Sequence, residues 1–588
     1  MKKGPGLISK LNYLLSGELK LRMVAAFVLI VIGSFVEILG VAVIYPLVNL
    51  IMDDNFAENI WCKIIMNITG LSDREPIVLV MVLATIGIYV FKNIYLSWMY
   101  SMIYKTSAYV RESMAVKLMK SYMKQPYSFF LANNSSELIR SVSSDTTQLY
   151  EATINLFRVT SEILTCIFLV VTLAVTNLLM TIVVASLLGF CAVLIMFFIK
   201  KKTRYYGKRN QELEGSLRKR LLEMFEGIKE IKIMNSENFF ISGYVRDYKE
   251  NTDNNRKYGL TSVIPKYLIE TVCMCGIMAY LAIEVMYNPR YMEIVPGIAV
   301  FVAAAYKLLP SVNAMFAYLN SIIYQKASVD LVYKDIKEAN ELAIKENNDD
   351  AEPVSFNNEI RLEHVTFHYD NSDKLVLQDV SITIPKGKSV AFVGPSGGGK
   401  TTLADIIIGL LRPVEGRVLV DGQNIVENIE GWRKQIGYIP QTIFLIDDTL
   451  KNNVAWGVNE KSADEEKVWQ ALTDAQIVEF VKESEKGLEM NVGERGTRIS
   501  GGQRQRLGIA RALYRKPGIL VFDEATSALD NETEKEVMKA IESLQGTRTM
   551  IMIAHRLTTV EKCDIIFRVE NGKVEQISHD ELFKSENA

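Results

Sequence analysis

Six near-continuous apolar segments, at about residues 22–52, 77–103, 153–176, 178–199, 263–287 and 292–324, constrain what this chain can fold into more than any other feature. At 1.5 Å of helical rise per residue, each is long enough to cross roughly 30 Å of hydrocarbon. The first half therefore reads as an all-α membrane domain of six spanning helices. Lys2, Lys3 and Lys10 precede the first segment in the manner of a signal peptide, but an apolar run from Met23 to about Met52 exceeds any signal core and spans instead. Cations crowd the connection 200–262 (Lys200, Lys201, Lys202, Arg204, Lys208, Arg209) and, less densely, 105–125. By the positive-inside rule both face the cytoplasm, which puts both termini there too. The opposite side fits: 53–76 carries Asp53, Asp54, Glu58, Asp73 and Glu75, and the connections at 176–177 and 288–291 are very short.

The cytoplasmic connections keep helical spacing of charged and apolar residues, as from Leu213 to Ile231, so the spanning helices are expected to run well past the bilayer. Residues 1–20 read as an amphipathic lead-in, and 53–76, with Trp61, Ile64 and Ile65, as a short outer helix at the membrane surface. The polar run Asn347-Asn348-Asp349-Asp350-Ala351-Glu352-Pro353 marks a boundary, giving a membrane domain over 1–335, a linker over 336–358 and a second domain over 359–588. There, apolar strands such as 389–393 and 519–522 alternate with helical stretches, the pattern of an α/β domain with a parallel core sheet. The net charge of −2 gives no indication of a nucleic-acid partner, and the six cysteines are scattered without metal-ligand spacing.

Chemistry concentrates in that second domain. Gly394, Pro395, Ser396, Gly397, Gly398, Gly399, Lys400 and Thr401, followed by Thr402, come directly after the strand 389–393 and open a helix expected over 400–410. This is the setting of a phosphate-binding loop: glycines let backbone N–H groups close on phosphate oxygens, Lys400 reaches the β/γ-phosphates, and the Thr401 hydroxyl serves Mg²⁺. A second strand, 519–522, ends in Asp523-Glu524, at the edge where such sheets bind ligands. Asp523 is placed to hold Mg²⁺ and Glu524 to polarise the attacking water, so ATP and Mg²⁺ are the expected cofactors. Between the two lies Ile499-Ser500-Gly501-Gly502-Gln503.

On these motifs the chain resembles an ATP-binding cassette (ABC) transporter half-subunit of the exporter type, over nearly its whole length. The family arrangement is a six-helix membrane domain followed by a P-loop nucleotide-binding domain with an α-helical subdomain. In it, Ser500, Gly501, Gly502 and Gln503 match a signature that precedes the Asp-Glu pair by about twenty residues and opens a helix facing γ-phosphate across a dimer; Ile499 replaces the usual Leu. The resemblance further implies that Tyr369 stacks on adenine, Gln441 contacts Mg²⁺ and the membrane domain, Asp530 communicates between sites, and His555 holds γ-phosphate. Val492-Gly493-Glu494-Arg495-Gly496 matches an exporter element that touches the partner's cytoplasmic loops.

In that family each ATP lies between the P-loop of one subunit and the signature of the other. A homodimer is the simplest complete machine, with a heterodimer as the alternative. Closing the sandwich would move the membrane halves through loops near Pro126–Glu137 and Asn235–Lys249. The membrane half resembles bacterial flippases for lipid-linked oligosaccharides at Phe35-Val36-Glu37, Phe91-Lys92, Ile264-Pro265-Lys266 and Ala305-Tyr306-Lys307-Leu308-Leu309-Pro310. Those flippases carry arginines where this chain has Lys92, Lys266 and Lys307, which keep the charge but lose bidentate phosphate geometry. A lysine facing lipid at mid-bilayer costs about 2.5–3.5 kcal/mol, so Lys92 and Lys307 are expected to face a substrate cavity, while Lys266 could also snorkel. The expected function is ATP-driven export or flipping of an anionic lipid-linked glycan or related amphiphile, in a bacterial inner membrane. Peptide, drug or lipid export on the same architecture and an ATP-gated channel or regulator are the alternatives.

Overall fold

The computed structural model describes residues 6–42, 74–176, 178–287, 291–342, 351–369, 374–459, 462–525, 531–554 and 560–586, with a few single positions between. The chain divides into two compact units, Met1–Lys124 with Asn133–Ile344, and Gln125–Ala132 with Lys345–Ala588.

Among the described residues the first unit is built of helices joined by short turns. In chain order its elements are α1 (Leu7–Leu14), α2 (Gly17–Ala42) and α3 (Arg74–Met123). The short α4 (Tyr127–Ala132) belongs to the second unit, and α5 (Ser135–Arg140) with a π-turn at Ser141–Asp145 leads into α6 (Thr146–Thr176). Then come α7 (Leu178–Glu226), the short α8 (Ile228–Ile233), α9 (Glu237–Tyr287) and α10 (Tyr291–Leu342). The 50 residues of α3 make about 75 Å of helix, far more than the roughly 30 Å of hydrocarbon. The apolar segments occupy only part of these long helices; α4 and the start of α5 lie in the loop expected near 126–137, whereas most of 235–249 belongs to α9, with α8 just before it. The end of the first apolar segment and most of the outer helix expected over 53–76 fall outside the described residues. Helix α10 continues through 336–342, where helix-forming residues follow a Lys334–Glu338 pair at 3.7 Å and i,i+4 spacing.

Within the spans, Ala26 and Ile30 of α2 pack on Met99 and Ile103 of α3 and Phe157 of α6. Leu188 and Ile195 of α7 meet Ile269 and Cys273 of α9 and Val312 and Phe316 of α10. Lipid is as apolar as leucine, so close fit rather than burial holds these helices together: a side chain at Gly33 would come within 2.5 Å of Met99 Sδ. In the extensions the interior becomes ionic. Arg140 pairs with Asp145 at 3.3 Å, with side chains 9% and 2% exposed. Gln211 of α7 donates to the same carboxylate at 3.1 Å, and the Tyr122 hydroxyl donates to Asp335 at 2.5 Å.

The second unit carries two sheets. Strands β1 (Glu359–Phe367), β2 (Leu377–Pro385), β4 (Glu415–Val420) and β5 (Gln423–Asn424) form an antiparallel sheet in the order β2-β1-β4-β5. The larger sheet runs β10-β9-β3-β8-β7-β6, from β3 (Ser389–Val393), β6 (Ile436–Ile439), β7 (Ile519–Asp523), β8 (Thr549–Ile553), β9 (Ile565–Glu570) and β10 (Lys573–Ile577). All its pairings are parallel except β10 on β9. Its central strands are buried on both faces, which explains their unbroken apolar sequence. Helix α11 (Lys400–Ile407) follows β3 and stops short of residue 410, because Gly409 adopts φ 74° and the Leu410 N–H closes on the Asp405 carbonyl. A helical layer of α12 (Ile429–Arg433), α13 (Leu450–Val454), α14 (Glu465–Asp474), α15 (Val478–Glu483) and α16 (Gly501–Tyr514) precedes β7. Among the described residues, helices α17 (Asn531–Leu544) and α18 (His579–Glu586) also belong to the unit.

Candidate functional site: a phosphate-binding loop with two carboxylates

The loop leaving β3 depends on its glycines. Gly394 takes φ 139°, and a side chain there would collide with the Val569 carbonyl of β9. Gly398 lies against the same carbonyl, and Gly397 and Gly399 take φ 79° and 104°. The loop thereby delivers the chain to the N-terminus of α11, where unpaired N–H groups favour an anion. Lys400, 5% exposed, donates from Nζ to the Gly394 and Pro395 carbonyls at 2.8 and 2.9 Å. Burial lowers its pKa, while Glu524 and Asp523 pull the other way. Ser396 and Thr401 are exposed; Thr402 is buried and its hydroxyl hydrogen-bonds the Tyr369 hydroxyl at 2.9 Å. That bond ties Tyr369 to the first turn of α11 with its ring partly open to solvent.

At the end of β7 stand Asp523, 9% exposed, and Glu524, whose φ of 49° is left-handed for a residue with a side chain. Backbone strain of this kind needs surrounding contacts to hold it. The Glu524 N–H donates to the Ile553 carbonyl at 3.0 Å, and Gln441 Nε2 donates to Glu524 Oε2 at 2.6 Å. Asp523 Oδ2 accepts from the Tyr438 hydroxyl at 3.1 Å. Asp405 of α11 is pushed up to about 6, by burial and then by Asp523. Sequence reasoning overlooked both Tyr438 and Asp405. The available signals were an acid among the apolar residues Leu403, Ala404, Ile406 and Ile407 of α11 and a tyrosine on the strand that leads to Gln441. The Thr401 hydroxyl, the Asp523 carboxylate and the Gln441 amide oxygen are hard oxygen donors of the kind Mg²⁺ takes, so the chemistry of these residues fits that ion.

Ser500 is the N-cap of the 14-residue α16, in a capping box: its hydroxyl accepts from the Gln503 N–H at 3.2 Å and the Gln503 side chain accepts from the Ser500 N–H at 2.9 Å. Gln503 thus shapes the helix start, and Ser500 and Gly501 stay exposed there. Ile499 is buried in the helical layer's core, where a branched apolar side chain serves as well as Leu. Asp530 and His555 lie outside the described residues.

In the first unit, Lys92 is half-buried with Nζ 4.7 Å from the centre of the Tyr89 ring, and Lys266 is exposed, 5.7 Å from that of Tyr267. The side chain of Lys307 is outside the described residues. A charged group missed in the sequence is Arg158 of α6, which bonds the Tyr104 hydroxyl and lies 5.5 and 5.3 Å from the ring centres of Tyr104 and Tyr318. Thr165, two turns on, donates to Glu37 at 3.1 Å. A charge inside the 153–176 segment was the signal for Arg158.

Residues 377–527 match the ABC transporter family model and residues 23–285 the ABC transporter transmembrane region. A protein of Cupriavidus metallidurans named ATP-dependent lipid A-core flippase is 32% identical over 483 residues, covering 80% of this chain and 79% of its own. One of the same name from Pseudomonas fluorescens is 31% identical over 482 residues, covering 81% and 79%. A solved bacterial Atm1-family ABC exporter with ATP bound superposes with a TM-score of 0.76 at 23% identity, over 97% of this chain and 96% of that one, a likeness of fold.

Proposed function

The chain belongs to the ABC transporter family, as a multi-pass membrane exporter subunit whose ATPase domain powers transport, and on that premise we propose that two copies together flip an anionic, lipid-linked glycan or related amphiphile outward across a bacterial inner membrane. The observation that carries the substrate class is the set of basic side chains in the membrane unit, Lys92, Lys266 and Arg158, seated on tyrosine rings. Among the described residues neither Lys92 nor Lys266 makes an ion pair, so a phosphate or pyrophosphate can take the cation without breaking one. The relatives named lipid A-core flippases support a lipid substrate.

Each ATP lies between the loop 394–401 of one copy and Ser500 of the other. Lys400 binds the phosphates, Tyr369 stacks on adenine, Glu524 polarises the attacking water with its carboxylate oriented by Gln441, and His555 holds the γ-phosphate. Thr401, Asp523 and Gln441 would hold Mg²⁺, which when bound would neutralise phosphate charge. Asp530 passes the state of one site to the other, and alternating access follows closure.

Transport is tested by reconstituting the protein and following ATP-dependent flipping of lipid-pyrophosphate sugars in wild type, Lys92→Ala and Lys307→Ala. Loss in either mutant supports the phosphate contact, and unchanged flipping in both sinks it. Ser500→Arg should abolish hydrolysis while ATP binding persists; loss of both together would overturn the shared site.

A further inference from the structure

One short segment of chain holds both carboxylates of the ATP site. Strand β6 is the outer strand of its sheet and pairs in parallel with β7, Tyr438 opposite Val521 and Ile439 opposite Phe522. Side chains alternate along strands, so Tyr438, Val521 and Asp523 share one face. Two residues of strand span roughly 6.6 Å, a distance a phenol ring bridges, and the hydroxyl arrives at Asp523 Oδ2. Three residues further on, Gln441 reaches Glu524.

An ionised carboxylate turns about its side-chain bonds unless donors hold it, and a metal is received only where its oxygens point. Tyr438 is suited to that task, because its phenol O–H donates to the Asp523 carboxylate at 3.1 Å from a ring held on the same face of the sheet.

We propose that Tyr438 is a positioning residue of the ATP site, whose hydroxyl holds Asp523 in the orientation that receives the metal of metal–ATP. The proposal rests on Asp523 as the metal carboxylate. Removing one hydroxyl while keeping the ring isolates the effect: Tyr438→Phe in the full chain should weaken binding of Mn²⁺ with a non-hydrolysable ATP analogue, followed by the Mn²⁺ EPR signal, by about 3- to 10-fold. The apparent Mg²⁺ constant of the ATPase should rise by the same factor. ATP binding in EDTA and the melting temperature should stay at the wild-type values. Asp523→Asn, measured alongside, should weaken Mn²⁺ binding further. If Asp523→Asn weakens it and Tyr438→Phe does not, the positioning role is overturned while the metal site stands. If neither changes it, the metal site falls and the proposal with it. An equal loss of metal-free ATP binding in Tyr438→Phe would mark the tyrosine as packing and likewise overturn the proposal.

Discussion

In the nucleotide-binding unit Lys400 is 5% exposed and held by two loop carbonyls, and Glu524 and Asp523 each accept a hydrogen bond from a neighbouring side chain. In the membrane unit Lys92 and Lys266 rest on the rings of tyrosines three residues before and one residue after them on their own helices. The first arrangement is directional and preorganised. The second is a cation on a π face, worth about 0.5–2 kcal/mol, with little angular demand. A site of the first kind suits a ligand whose phosphates always arrive in one geometry. A site of the second kind suits anionic headgroups of variable size, since the ammonium can leave its ring for a phosphate at small cost.

The largest expected break of this contrast is at the rigid site. If Glu524 polarises the attacking water as proposed, Glu524→Gln should lower steady ATP turnover by about 10²- to 10⁴-fold; release of phosphate measured with saturating ATP checks it. A loss under tenfold would contradict the role given to Glu524. Next comes the ionic interior of the helical extensions. Asp145→Ala leaves Arg140 buried without its carboxylate and should cost about 3–5 kcal/mol, visible as a lower denaturation midpoint. The double replacement Arg140→Met with Asp145→Leu should recover most of that loss.

At the adaptable site the effects shrink. Lys92→Ala should raise the KM for lipid-pyrophosphate sugar transport by about 3- to 10-fold and Lys92→Arg by less, because the arginine keeps both the charge and the ring contact. An all-or-none loss in both would show that the membrane site is as rigid as the ATP site. The smallest effect concerns Asp405, whose folded pKa of about 6 lies above its ordinary 3.8. Below both values the acid is neutral in either state and costs nothing; between them only the unfolded chain ionises, so the penalty on folding grows and is complete above 6. Allowing for partial exposure, Asp405→Asn should stabilise the Mg²⁺-free protein by about 1 kcal/mol at pH 7.5 and by nothing at pH 4, as thermal melts at the two pH values would read.

The ATP site was legible because its chemistry is written in contiguous residues. A phosphate cradle needs glycines at positive φ within one loop, and a buried strand ending in two acids reads the same in any sheet, so 394–401 and 523–524 announced themselves. Tyr438 and Asp405 carry no such local mark. Their relevance comes from strand pairing and from the turn of α11, which set them beside Asp523 from positions more than eighty and a hundred residues away. Arg158 was a different kind of omission, a charge averaged away by the apolar residues around it.

The sequence by itself determined the division of labour: runs of hydrocarbon length must leave water, and a glycine-rich loop after a buried strand must face an anion. Where the interior of the helical unit is ionic, which donors hold each carboxylate, and that Gln503 caps a helix while Gln441 steadies Glu524 were decided only by the tertiary structure. Periodicity and local motifs fix what a segment does with its own backbone and its solvent. The direction of a side chain hydrogen bond depends on neighbours distant in the chain, which only packing supplies.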